Sequence, residues 1–267
     1  MRTRMLYALA LLLLLAACAP RPTVEVRPVP GVKVKVPVEV PKPGGVSQGA
    51  QMPVIKVLPG NPLPPAGAAF ADDFSQYPVG AVLPAVAPDR YGLVRFKPDW
   101  QQVTIIEALD PGGRLNPAVR LEGRDGLLTT GAEDWTDYRV RFRLKVEATP
   151  FTNPRVRVWL FMNGAGSRAL EVEIGPNGVQ LAKLAGEQRF VLVDRRELSG
   201  LGQTLIRDKR WHDFRFDLQK TGRVQVFFDK TQLIDWTDPD YRRGGFGVGP
   251  AGTLFYLDDL RIERITP

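Results

Sequence analysis

The 267-residue chain has little of what most catalytic and metal sites are built from: one cysteine and one histidine. A single cysteine excludes an intrachain disulfide and any cysteine-rich metal site. The lone histidine, His212, has no second histidine and no Gly-x-Ser-x-Gly string to accompany it. That argues against zinc chemistry and against the hydrolase triads. His212 shares strand parity with Phe214 and Phe216, the position of a structural hydrogen-bonder rather than a catalyst. A basic folded surface is also lacking. Of the net charge of +7, residues 1–17 carry two units and residues 18–70 four, which leaves +1 for everything after residue 70. A nucleic-acid binder concentrates its basic excess on the folded part, so nucleic acid is not an expected partner.

What is present begins at the N-terminus. Arg2 and Arg4 form a basic n-region, and Leu6 to Leu15 form an apolar stretch too short for a helix that needs ~20 residues to span a bilayer. It closes on Leu15-Ala16-Ala17-Cys18. This string resembles the lipobox of bacterial lipoproteins. The resemblance implies a signal peptide over 1–17 and cleavage before Cys18. It also implies lipidation of Cys18 and an extracytoplasmic protein anchored in the cell envelope through its acyl chains. Ala19 implies the outer membrane if the source has one. With Cys18 lipidated, no thiol is left for other chemistry.

Residues 18–68 read as a tether. Twelve of the chain's 24 prolines fall there. Val24 to Pro41 alternates valine with charge or proline, and the prolines remove ladder donors, favouring an extended, disordered chain over a strand. A partner's sheet recruiting these valines as a strand is the competing reading.

From residue 69 to 267 the pattern is that of a single all-β domain. Val140, Phe142, Leu144 and Val146 alternate with Arg139, Arg141, Arg143 and Lys145. Val156, Val158, Leu160 and Met162 alternate with Arg155, Arg157, Trp159 and Phe161. Val172 and Ile174 alternate with Glu171 and Glu173, Phe214 and Phe216 with Arg215, and Val226 and Phe228 with Phe227. Turn signals such as Asn163-Gly164, Pro176-Asn177-Gly178 and Thr221-Gly222 separate the runs. Many short strands with one apolar face each imply two antiparallel sheets packed face to face.

Several strings in order resemble the concanavalin A-like lectin/glucanase superfamily, nearest its laminin G-like and 3-keto-disaccharide hydrolase-type members, distant relatives of glycoside hydrolase family 16. They are Phe70-Ala-Asp-Asp-Phe74, Gly131 to Tyr138 around Trp135, Leu170 to Val179, Trp211 to Phe216, Gly222 to Asp229, and Gly244 to Ile262. The resemblance implies a jelly-roll sandwich with a glycan-binding face. Family 16 enzymes carry two catalytic glutamates flanking an aspartate at alternate strand positions. Glu171-Val-Glu173-Ile-Gly175 offers glycine where the second glutamate belongs, so a retaining mechanism lacks its partner.

No catalytic residues are therefore assigned. The candidate ligand face is Arg155, Arg157, Trp159, Phe161, Glu171 and Glu173, with Trp159 expected to be an exposed platform for a sugar ring. The alternative is a solvated face of cross-strand Arg–Glu pairs. Asp72, Asp73, Asp258 and Asp259, acidic pairs at the two ends of the domain, are candidate ligands for a structural Ca²⁺, as in some relatives. The expected function is a non-catalytic carbohydrate-binding module displayed on the envelope and binding a glycan or envelope polymer. The rivals are a glycoside or keto-sugar hydrolase with an unidentified site and a structural envelope protein that binds another protein.

Overall fold

The computed structural model describes residues 57–94, 103–124, 126–149 and 152–266. The signal peptide, Cys18 and the tether up to residue 56 lie outside them. Among the described residues no helix is long and apolar enough to cross a membrane.

Fifteen strands and two short helices follow in chain order among the described residues: β1 (Ala69–Asp72), α1 (Leu83–Val86), β2 (Gly92–Val94), β3 (Thr104–Leu109), β4 (Leu115–Gly123), β5 (Leu127–Thr130), β6 (Tyr138–Ala148), β7 (Arg155–Met162), β8 (Arg168–Gly175), β9 (Gly178–Ala185), β10 (Gln188–Arg195), α2 (Ser199–Arg207), β11 (His212–Leu218), β12 (Arg223–Phe228), β13 (Thr231–Thr237), β14 (Gly245–Ala251) and β15 (Thr253–Arg264). They form two antiparallel sheets. The first runs β13-β12-β11-β6-β15-β4-β3, with β1 on the C-terminal half of β15, and the second runs β10-β9-β8-β7-β14-β5-β2. The architecture is an all-β jelly-roll sandwich, as the alternation predicts.

The core lies between the sheets. Val140, Phe142, Leu144 and Val146 of β6 and Phe214 and Phe216 of β11 meet Val156, Val158 and Leu160 of β7 and Leu170, Val172 and Ile174 of β8. Phe142 stacks on Phe214 at 5.2 Å and tilts against Phe246 from the opposite sheet at 5.8 Å. Helix α2 closes one end by burying Leu205 and Ile206 in the same core. His212 is buried as expected, stacked on Phe228 at 4.7 Å, with Nδ1 2.6 Å from Asp229 Oδ2 and Nε2 3.1 Å from Asp208 Oδ1.

The domain boundary at 68/69 needs correction. The segment from Val57 is a strap packed on the outer face of the seven-stranded sheet. Leu58 is buried with Val94, Leu127, Trp159, Met162 and Ala169 in a second, smaller hydrophobic cluster. Glycine at 245 makes room for it: a Cβ there would meet Leu58 Cδ2 at 2.5 Å. The strap is tied by backbone as well. Thr129 Oγ1 donates to the Val57 carbonyl, Gly60 N to Gly131 O at 3.0 Å, Gly131 N to Asn61 Oδ1 at 2.9 Å and Trp135 Nε1 to Asn61 O at 2.9 Å. The segment follows a fixed path on the sheet face and is not a free linker, with Gly60 at φ +84° turning the chain.

One charged group near the chain ends should report on folding through pH. Asp258 is buried, and its carboxyl is pushed up to about 6 by burial and then by Asp259, against the opposing pull of Arg143 2.9 Å away. The unfolded chain releases that proton near ~4. Asp258 therefore favours the fold fully below that pH, and its contribution is lost as pH rises through about 6. Asp258→Asn should flatten urea-melt stability between pH 4 and pH 7 by at most about 2 kcal/mol relative to the parent. An identical pH slope in both proteins would rule this out.

Candidate functional site

Strict alternation on β8 sends Leu170, Val172 and Ile174 into the core and Glu171 and Glu173 to the outer face of the seven-stranded sheet. On β7, Trp159 stands opposite Glu171 and Arg157 opposite Glu173. The two-residue turn Gly186-Glu187 pairs Gln188 with Ala185 and Arg189 with Leu184, which brings Arg189 onto the same face. Gly186 takes φ +63°, which a tight hairpin requires and glycine supplies without strain.

The result is an open groove of about 420 Å³. Its floor is the two glutamates, and its walls are Arg155, Arg157 and Arg189, with the 166–167 turn and the 186–188 hairpin at one end. Glu171 accepts from Trp159 Nε1 at 2.9 Å and from Arg189 Nε at 2.7 Å. Glu173 accepts from Arg155 Nη1 at 2.9 Å and from Arg157 Nε at 3.4 Å. Arg189 also donates to Gln180 Oε1 at 3.2 Å. Both carboxylates are nearly inaccessible, while the arginines are partly exposed. The groove thus presents fixed donors backed by buried acceptors, a lattice suited to hydrogen-bonding hydroxyls or oxyanions.

Glycine 175 explains itself in this geometry. A Cβ there would meet Arg155 Cγ at 2.6 Å and the Pro154 carbonyl at 3.0 Å. The place at which a second catalytic glutamate would stand is filled by the Arg155 side chain. Glu171 and Glu173 are the only carboxylates on this strand, and each is bound to an arginine.

Five of the six residues expected on the ligand face gather there: Arg155, Arg157, Trp159, Glu171 and Glu173. Two expectations are corrected. Trp159 is not an exposed platform. It keeps 6% of its surface, covered by the cluster that includes Leu58 and Met162, and its indole is spent on Glu171. Phe161 is not on this face. It adopts φ +53°, and the register between β7 and β14 shifts at this point. The bulge turns Phe161 into the main core, edge-on to Tyr138 at 6.5 Å, and throws Met162 outward. Glycine 244 permits it, since a Cβ there would sit 2.3 Å from the Phe161 carbonyl carbon. Arg189 and Gln188 are the contributors the sequence reading missed, although the Gly186-Glu187 turn was a usable signal for their register.

The four aspartates at the two ends of the domain do come near one another, because β1 pairs with β15 and Asp72 stands opposite Leu260. They do not converge as a Ca²⁺ ligand set of six to eight oxygens. Asp72 is buried and accepts from Phe74 N at 2.8 Å, Tyr91 OH at 2.8 Å, Tyr77 OH at 3.0 Å and Arg90 Nη1 at 3.2 Å. Asp73 is held by Ser75, whose hydroxyl and amide keep its carboxyl below the usual range. Asp258 and Asp259 both contact Arg143. Among the described residues no group of three or more His, Cys, Asp or Glu is arranged to hold a metal ion.

No protein-family model matches the chain, and no curated protein matches it significantly. Solved structures that resemble it include carbohydrate-binding module CBM66 from Bacillus subtilis, at 12% identity over 66% of this chain and 93% of that one, with TM-score 0.40. Others are a Bacillus licheniformis β-glucanase, at 12% identity over 74% and 99% with TM-score 0.44, and a Bacteroides ovatus family 16 protein of a mixed-linkage glucan locus, at 11% identity over 72% and 99% with TM-score 0.42. The sandwich itself stands on the strand pairing and the shared core of the two sheets.

Proposed function

We propose that the groove binds a hydroxyl-rich glycan without cleaving it, and that the chain is a lipid-anchored envelope protein carrying this binding module outside the cytoplasm. The observation that carries the reading is the arginine–glutamate lattice. Retaining hydrolysis needs a free carboxylate nucleophile and a second carboxyl ~5–5.5 Å away as the acid. Here both glutamates are committed to guanidinium or indole donors, and Arg155 fills the position next along the strand. Donors held by buried acceptors are preorganised, which favours binding by hydrogen bonding over stacking.

Arg189 is the most informative residue to change, because it comes from the edge strand and is the most exposed arginine of the lattice. Arg189→Ala should weaken retention on a bound glycan by roughly ten-fold, the loss expected for one charge-assisted hydrogen bond, and should lower the melting temperature by several degrees, because buried Glu171 keeps only one close donor. Retention equal to the parent on every glycan the parent binds would remove the groove from the account. The envelope address rests on the lipobox: Cys18→Ser should carry no acyl label and stay uncleaved, and normal labelling of that variant would contradict it.

A further inference from the structure

The outer face of the other sheet, across the sandwich from the groove, carries a charge pattern that its own fold does not require. Three rows of residues cross β15, β6 and β11. In one, Glu263 faces Arg139, which faces Asp217; in another, Asp258 faces Arg143, which faces Asp213. Both alternate in sign, the arrangement that stabilises a sheet surface. The row between them does not alternate. Arg261 faces Arg141, Arg141 faces Arg215, and Arg215 faces Phe227 on β12. Like charges directly opposite one another destabilise a sheet.

The surroundings only partly neutralise this row. Glu263 is shared among Arg139, Arg141 and Arg261, at 3.6, 3.6 and 3.3 Å. Asp217 is spent on a two-pronged pair with Arg139 and reaches Arg215 only at 3.6 Å. Among the described residues the Arg141 and Arg215 side chains make no hydrogen bond, and Arg215 Nε, buried, has only the 3.6 Å ion-pair contact to Asp217. The Arg215 guanidinium lies over Phe227, 3.6 Å from the ring centroid. The row lines a shallow groove of about 430 Å³ with Lys230 at its rim.

We infer that this arginine row is a second binding site, for a linear anionic polysaccharide of the polyuronate type. Neighbouring strands are ~4.8 Å apart, about the length of one sugar residue, so a chain lying across the strands sets roughly one residue over each, and the carboxylates on its protein-facing side fall among the arginines. Phe227 ends the row and holds the Arg215 guanidinium against its ring, which fixes that end of the lane. The flanking rows argue against a flat anionic membrane as the occupant. The bordering acids are paired with Arg139 and Arg143, so the flanking rows carry little net charge and the positive excess is confined to one lane, the width of a single strand. This site is independent of the groove on the seven-stranded sheet.

Affinity electrophoresis of the full chain in neutral detergent tests it, with polygalacturonate in the gel and hydroxyethylcellulose as the uncharged control. The expected result is retardation by polygalacturonate that shrinks with added salt. Arg141→Gln/Arg215→Gln should reduce that apparent affinity roughly ten-fold or more, and Arg141→Lys/Arg215→Lys should keep most of it. Arg196→Gln, an exposed arginine in neither groove, should leave it unchanged. The glutamine pair removes a repulsion, so it should fold; should it not, Arg261→Gln alone must show a weaker loss of the same kind. Equal retardation of parent and glutamine variants, an equal loss with Arg196→Gln, or binding to phosphatidylglycerol vesicles without binding to polygalacturonate would overturn the inference.

Discussion

A chain lacking residues 57–68 should lose on the order of 5 kcal/mol of unfolding free energy, a large part of the ~5–15 kcal/mol that typical domains possess. Burying a leucine contributes roughly 1.5–3 kcal/mol, and Leu58 is buried. Four hydrogen bonds tie the strap at Val57, Gly60 and Asn61, each worth about 1 kcal/mol net. Ordering the strap offsets part of that sum, but its removal also exposes Leu127, Trp159 and Met162, which it covers. Limited proteolysis of the intact protein should accordingly stop before Val57. A fragment beginning near residue 69 that is as stable to urea as one beginning before 57 would show that the strap is only an adornment.

Trp159→Ala should cost about 3–5 kcal/mol, the range for removing a buried tryptophan. Two losses combine. The indole leaves a cavity among Leu58, Val94, Leu127 and Met162, and Glu171 loses one of its two close donors in a site from which water is largely excluded. Trp159→Phe separates them, since it retains most of the packing and gives up only the hydrogen bond. It should cost about 1–2 kcal/mol. Urea unfolding at constant m-value measures both. A loss below about 1 kcal/mol for the alanine variant is typical of a surface position and would restore Trp159 as an exposed platform.

Which parts of this were legible in the sequence follows from how local the determining physics is. Period-two alternation is local, and it placed Val156, Val158, Leu160, Phe214, Phe216, Val226 and Phe228 in the core where the structure has them. Cross-strand pairing of Arg157 with Glu173 was equally accessible, because one hairpin turn fixes it. Parity fails at a bulge. Phe161 and Met162 exchange faces because of one left-handed residue opposite Gly244-Gly245, and no count of apolar positions detects that. The burial of Trp159 was hidden for another reason: its cover comes from residues 57 and 58, a hundred positions earlier, in a stretch whose prolines and glycines read as a linker. Composition reports that a segment forms no regular element. It does not report whether the segment is tied to a sheet face by its backbone.

The central claim is binding without turnover at the arginine–glutamate groove. The direct test is to incubate the purified chain with a panel of polysaccharides and measure retention and new reducing ends in the same samples, for the parent and for Glu173→Gln. The account predicts retention of at least one polymer, weaker in Glu173→Gln, with no new reducing ends from either protein. Sugar release by the parent that stops in Glu173→Gln would contradict it.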